Sequence, residues 1–427
     1  MRGESAANDN GEFYMPAGAI LVASIGIMAS LSGDEALRII VIISAAEGDG
    51  GISLGLFGFL MALPMLAAPL IGAVTDRFHA HPRALFTGAT GLGAAATAVL
   101  WIAWDTAAQA TAVYAAGFFL ELSALAVLLA WQSFVPEFAP PNSSSLKKVI
   151  STSSAVLAIG PLVGPLMVGL LLGVLTEKQI LLINTLTCVI AMLMAQPALK
   201  RLQDQRRMSI SGRLSRVGVL SIIRRTIHGV GAVFRLDAVR APLIVLSLSN
   251  AATYLIYFAL PVYMAASGYD PSEIALAMAV SLAGALVGSL LGGCFRSNSY
   301  VVRLIVVEPV LRALGIVVIA ISPSYVGILV GATIFAVPQG LGRVARSWLL
   351  AHATKVGERG SINGGYRFVS RALLPLMPFL AVGISSQAEG QSFLLVCAAA
   401  LALCGVVPLI DRRFVAVVQA GLASATV

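Results

Sequence analysis

Apolar residues along this chain fall in long blocks rather than in alternation. Twelve blocks approach the roughly 20 residues a helix needs to cross a bilayer. They lie at about 15–46, 52–74, 83–104, 108–131, 149–175, 179–198, 242–266, 272–295, 301–321, 324–350, 361–385 and 391–410. No extended period-two alternation occurs, so a β-barrel is not expected. The blocks predict an all-α membrane protein of twelve transmembrane helices, spans 1 to 12. A polar segment splits them six and six. The expected organisation is an N-terminal six-helix half over 1–199, a cytoplasmic linker over 200–240 and a C-terminal six-helix half over 241–427. Val217, Leu220, Ile223 and Ile227 fall at helical spacing in the linker. That pattern suits a short amphipathic helix on lipid headgroups. Linker plus topology signal is the plainer reading, regulation the other.

Composition agrees with the pattern. Of 427 residues, 58% are hydrophobic and 11% charged, against about a quarter charged in soluble domains. The mean hydropathy is +0.91. The net charge of +8 is informative through its placement. Glu47, Asp49, Asp105, Asp270, Glu273 and Glu389 fall in alternate loops, with Lys178 as their single basic residue. The other loops hold Arg77, Arg83, Lys147, Lys148, Arg296, Lys355, Arg359, Arg412 and Arg413, and the linker holds ten more basic residues. The positive-inside rule then places both termini in the cytoplasm. This gives the basic excess a topogenic role, and no nucleic-acid partner is expected. The polar N-terminus shows no cleavable signal, so span 1 is expected to direct insertion. Cys188, Cys294, Cys397 and Cys404 are scattered in apolar contexts and read as small core residues.

The informative residues are charges inside the apolar blocks. Asp34, Glu35 and Arg38 lie in span 1 and Glu121 in span 4. A bare charge at the bilayer centre costs about 2.5–3.5 kcal/mol on lenient scales. Such residues belong in a protein interior holding water or solute. Asp34 and Arg38 stand at i, i+4, hence on one face, with Glu35 about 100° away. The spacing predicts Asp34 paired with Arg38, leaving Glu35 or Glu121 as the carboxyl that gains and loses a proton. The bland alternative is a static ion pair with a hydrogen-bonded neutral Glu.

Gly72, Asp76 and Arg77 close span 2 with the spacing Gly-x-x-x-Asp-Arg, and Gly288, Gly292 and Arg296 close span 8 similarly. Small residues at that spacing let helices approach closely. Span 5 carries Gly160, Pro161, Gly164, Pro165 and Gly169, where two prolines remove two backbone donors. On these motifs the chain resembles the major facilitator superfamily over nearly its full length. Gly72, Asp76 and Arg77 are similar to the start of that family's signature between helices 2 and 3. The loop then departs from it, reading Phe78, His79, Ala80, His81, Pro82, Arg83. The two histidines lack a ligand set, and neither metal nor other cofactor is expected. The span 5 element looks like the GPxxGG motif of drug:proton antiporters, with Pro165 in place of the last Gly. Ser32, Gly33 and Asp34, with Val135, Pro136, Glu137 and Phe138, are similar to the macrolide-efflux and enterobactin-exporter branch.

The resemblance implies two six-helix halves working by alternating access, with spans 1, 4, 7 and 10 lining a cavity. It implies gating by Gly72, Asp76, Arg77, Gly160, Pro161, Gly164 and Pro165. Span 7 presents Ser247, Asn250, Tyr254, Tyr257 and Pro261 at helical spacing, and span 10 adds Gln339 and Arg343. Asn363, Arg367 and Arg371 share a face of span 11. The substrate-binding candidates are Asn250, Tyr254, Tyr257, Gln339, Arg343, Arg367 and Arg371. Helix packing is the alternative for the tyrosines, and snorkelling to headgroups for the arginines. Glu308 and Arg312 in span 9 read as a structural i, i+4 pair. The expected function is proton-coupled export of a small organic molecule, such as a siderophore or drug, across a bacterial inner membrane. An uptake symporter on the same fold is the other reading. A monomer whose partners are the solute, protons and membrane lipids is expected. No phosphate loop or catalytic set marks an enzyme.

Overall fold

The computed structural model describes residues 17–46, 52–77, 81–135, 144–172, 174–209, 230–231, 233–235, 237–293, 298–322, 324–353, 359–381 and 387–406. Among them there is no strand. Among the described residues, each of the twelve apolar blocks is mainly helical. Span 1 is Ala17–Ala46, span 3 Pro82–Ala103, span 4 Gln109–Phe134, span 5 Ser144–Leu171 and span 6 Glu177–Ser209. Span 7 is Asp237–Ala266, span 8 Pro271–Gly293, span 9 Asn298–Ile321, span 10 Tyr325–Ala353 and span 12 Gln387–Cys404. Nine spans, all but 5, 11 and 12, have described stretches long and apolar enough to cross a bilayer.

Spans 2 and 11 are each interrupted. Span 2 runs Leu54–Ala62, a 3-10 turn Leu63–Ala67, then Ala68–Arg77. Span 11 runs Arg359–Arg371, a 3-10 turn Leu374–Leu376, then Met377–Ala381. Pro64 and Pro375 open those turns, where a residue without an N–H removes the helical bond. Neither interruption was expected from the blocks, because apolar content does not report backbone bonding.

Packing repeats between the halves. Span 1 lies on spans 5 and 6, span 3 on spans 4 and 6, and span 2 on span 4. In the second half span 7 lies on spans 11 and 12, span 9 on spans 10 and 12, and span 8 on span 10. Small residues set these distances. A side chain at Gly288 of span 8 would strike the Val337 carbonyl, and one at Gly340 of span 10 the Ala285 carbonyl. The halves meet chiefly where span 2 packs on span 11 and span 5 on span 8. Gly58 faces Pro378, and the rings of Phe59 and Phe379 meet at a tilt with centroids 5.7 Å apart.

One apolar core joins both halves. It includes Ile39–Ile43 and Phe57 from the first half and Leu255, Phe258, Tyr263, Ile274 and Met278 from the second. A second buried cluster around Ile27, Phe86, Trp131 and Phe134 belongs to the first half alone. Lipid-facing positions stay apolar and exposed, including Ile102, Leu170, Leu193, Ile321, Val326 and Val396.

The expected amphipathic helix around Val217–Ile227 and the loop from Phe78 to Ala80 lie outside the described residues, as do Pro136, Glu137 and Phe138.

A carboxylate–arginine network between the halves

Span 1 is pinched at its acidic turn. A side chain at Gly33 would overlap Asn184 of span 6. A methyl at Gly164 of span 5 would lie 2.7 Å from Glu35 Cβ and 2.8 Å from Ala36 N, and would strike the Ser32 carbonyl. Gly160 meets Met28 and Leu31 one turn earlier. The Gly-Pro element therefore seats span 5 against Ser32 and Glu35. Only glycine permits that approach.

Arg38 holds two carboxylates at once. Its Nη1 donates to Glu35 Oε1 at 2.8 Å and its Nη2 to Glu121 Oε2 at 2.8 Å. From the other half, the Tyr257 hydroxyl donates to Glu35 Oε2 at 2.8 Å. The Arg38 guanidinium lies 5.7 Å from the Tyr257 ring centroid, within cation–π range. Tyr254 donates to the Gly58 carbonyl at 3.3 Å, also across the interface. Glu121, Arg38, Glu35 and Tyr257 thus form one chain through spans 4, 1 and 7.

Asp34 is not the partner of Arg38. It faces Asn184 of span 6, is 8% exposed, and its Oδ1 has no hydrogen-bond partner among the described residues. Positions i+3 and i+4 are both neighbours on a helix. Tertiary contacts decide between them, and here Glu121 and Tyr257 draw Arg38 toward Glu35. Three carboxyls thus stand around one guanidinium. A guanidinium keeps its proton, whereas a carboxyl can gain or lose one.

The second half holds an inverse arrangement. Glu308 is bonded to Arg312 at 3.2 Å and also to Arg346 of span 10. Arg312 also donates to Ser249 and Thr253 of span 7 and lies 4.6 Å from the Phe335 centroid. All three charged residues are buried. The i, i+4 pair expected in span 9 is present as one edge of this triad.

Three further arginines have no carboxylate partner among the described residues. Arg371 Nη1 lies 2.8 Å from Met65 Sδ, and Arg367 Nη2 donates to Gln132 Oε1 at 2.7 Å. Arg343 is exposed, with Arg346, Arg371 and Glu308 as its electrostatic neighbours. Gln339 is half-buried on the same span. Ser247 and Asn250 donate to the Val369 and Ser370 carbonyls at 3.0 Å each, bracing the end of Arg359–Arg371. Gly72 and Pro165 are buried and Pro161 half-buried, while the side chains of Asp76, Arg77 and Asn363 lie outside the described residues. Among the described residues no group of His, Cys, Asp and Glu is placed to hold a metal.

Asn184, Met65 and Gln132 were missed in the sequence. Asn184 carried a usable signal, an amide within an apolar block, and Gln132 is an amide just past the end of one. Met65 carried none.

Residues 18–293 match the family model of the Major Facilitator Superfamily. Among solved structures, the chain is similar to a POT family transporter in complex with a thioalcohol-conjugated peptide, at 11% identity and TM-score 0.67, over 92% of this chain and 95% of that one. It is similar to the human organic anion transporter MFSD10, at 13% identity and TM-score 0.65, over 92% and 99%. A POT family transporter in complex with 5-aminolevulinic acid gives 11% identity and TM-score 0.66, over 95% and 97%. At such identities the likeness is one of fold. No curated protein matches the chain.

Proposed function

The chain belongs to the Major Facilitator Superfamily and carries a small solute by secondary transport, and from that premise we propose that it is a proton-coupled exporter of a small organic molecule in a bacterial inner membrane. Both termini then face the cytoplasm. The observation that carries the proton coupling is the Glu121–Arg38–Glu35–Tyr257 chain, with Asp34 beside it. Ionised Glu35 accepts from Arg38 and from Tyr257 of the other half. A proton on Glu35 leaves the bond from Tyr257 without a charged partner and the bond from Arg38 with the guanidinium charge alone, and a hydrogen bond to a charged group is worth roughly 1.5–3 kcal/mol. Protonation therefore loosens span 1 from span 7, while solute entry favours the ionised, tied state. Each half-cycle links carboxyl charge to the contact between halves, which is what alternating access requires. Outward direction is supported by the likeness of Gly160, Pro161, Gly164 and Pro165 to the antiporter element, and by their seat against Glu35.

The test uses everted vesicles carrying the protein, acidified inside, with a pH-sensitive dye outside and a panel including siderophores and macrolides. Solute-triggered proton release, lost in Glu121→Gln, is the expected result. Solute flux without proton movement overturns the coupling. Proton and solute moving in the same direction overturns export in favour of uptake.

A further inference from the structure

We propose that Arg343, Arg367 and Arg371 bind an oxyanion group, such as a carboxylate, on the transported solute. This rests on the reading of the chain as a small-solute carrier and names the solute's class. Six arginines of the described spans fall into two sets. Arg38, Arg312 and Arg346 each hold a carboxylate. Arg343, Arg367 and Arg371 hold none among the described residues. Arg367 rests on a neutral amide and Arg371 on a thioether, a weak acceptor. Much of their donor capacity is left over, and a guanidinium fork matches an oxyanion in bidentate geometry.

The direction of Arg367 and Arg371 excludes anchoring to headgroups. Gln132 and Met65 belong to the first half, so Arg367 and Arg371 reach across the interface, not outward to lipid. Arg371 has Arg343, Arg367, Glu121, Arg38 and Tyr254 as electrostatic neighbours. It thus stands between the cationic cluster and the carboxylate network. Like charges gathered this way repel, and an anion among them relieves that repulsion. The Tyr254 ring beside Arg371 offers a surface for the solute's apolar body.

The test is thermal stabilisation of the full chain in detergent, since a ligand bound to the folded state raises its midpoint. The probes are pairs sharing one body: benzoate with benzamide, phenylacetate with phenylacetamide, and N-acetylphenylalanine with its amide. The expected result is stabilisation by at least one acid and not by its amide. Its apparent affinity falls roughly tenfold or more in Arg371→Gln or Arg343→Gln, as for loss of a charged hydrogen bond. Arg343 is exposed, so Arg343→Gln keeps the test valid if Arg371→Gln fails to fold. Equal stabilisation by the amides, none by any acid, or an acid effect unchanged in both variants overturns the site. A separate arm uses inorganic phosphate and sulfate. Stabilisation by these equal to that of the acids marks a resident ion and overturns the solute assignment. An acid that binds but moves no protons in vesicles keeps this site and overturns the coupling. Protons moved by neutral solutes alone do the reverse.

Discussion

Replacing Gly164 by alanine tests whether span 5 holds the acidic turn in place. The new methyl would lie 2.7 Å from Glu35 Cβ and 2.8 Å from Ala36 N. Carbon atoms prefer about 3.5–4.0 Å, so spans 1 and 5 must part by about 1 Å. Overpacking of that kind costs about 1–3 kcal/mol. Alanine also gains up to about 1 kcal/mol over glycine in a helix interior, which needs a control. Gly91 of span 3 has nothing within 4 Å of its would-be Cβ. Gly91→Ala therefore reports the propensity gain alone. The expected gap between the two variants is about 1–3 kcal/mol, read as the difference in unfolding midpoint in detergent. Function falls further than stability. Span 1 moved by about 1 Å takes Glu35 out of reach of Tyr257, whose bond is 2.8 Å long, and a bond to a charged group is worth roughly 1.5–3 kcal/mol. Flux in vesicles should therefore drop in Gly164→Ala and hold in Gly91→Ala. Equal midpoints with equal flux would refute the packing argument.

Three further outcomes follow from the same geometry. Glu308→Gln leaves Arg312 and Arg346 without their carboxylate, and breaking a buried ion pair costs about 3–5 kcal/mol; the variant should lose folded protein in the membrane, measured by detergent-extracted yield and midpoint, and a Glu308→Leu, Arg312→Met, Arg346→Leu combination should recover much of it. Tyr257→Phe removes one cross-half bond and should favour separation of spans 1 and 7 by roughly tenfold or more, read as a change in the distance distribution between spin labels on the two halves. Glu121→Gln should abolish solute-linked proton movement with the protein still folded, and unchanged coupling would remove Glu121 from the mechanism.

The helices were legible because a bilayer imposes length and apolarity on each span, and both can be read residue by residue. The 3-10 turns at Leu63–Ala67 and Leu374–Leu376 were not, although Pro64 and Pro375 stood in the sequence. Proline also sits inside span 5, at Pro161 and Pro165, without breaking it, so proline alone does not locate an interruption. The charged residues of the network could be listed from their place in apolar blocks. Their pairing could not. Asp34 and Glu35 are both helical neighbours of Arg38, and the choice lies with Glu121, 83 positions away, and with Tyr257 in the other half. Glu308 and Arg312 were readable as a local pair, but Arg346 joins them from another span. Local spacing fixes which residues share a face, and only the fold fixes what that face meets.

In the proposed mechanism the carboxyls of spans 1 and 4 exchange protons for solute. The measurement to make is a count of protons released into weakly buffered detergent solution when the solute found in the vesicle assay binds the purified protein. The unaltered chain should release protons at saturating solute, and the Asp34→Asn, Glu35→Gln, Glu121→Gln combination none, with solute still bound. Release undiminished in that combination, or binding to the unaltered chain without any release, would contradict that mechanism.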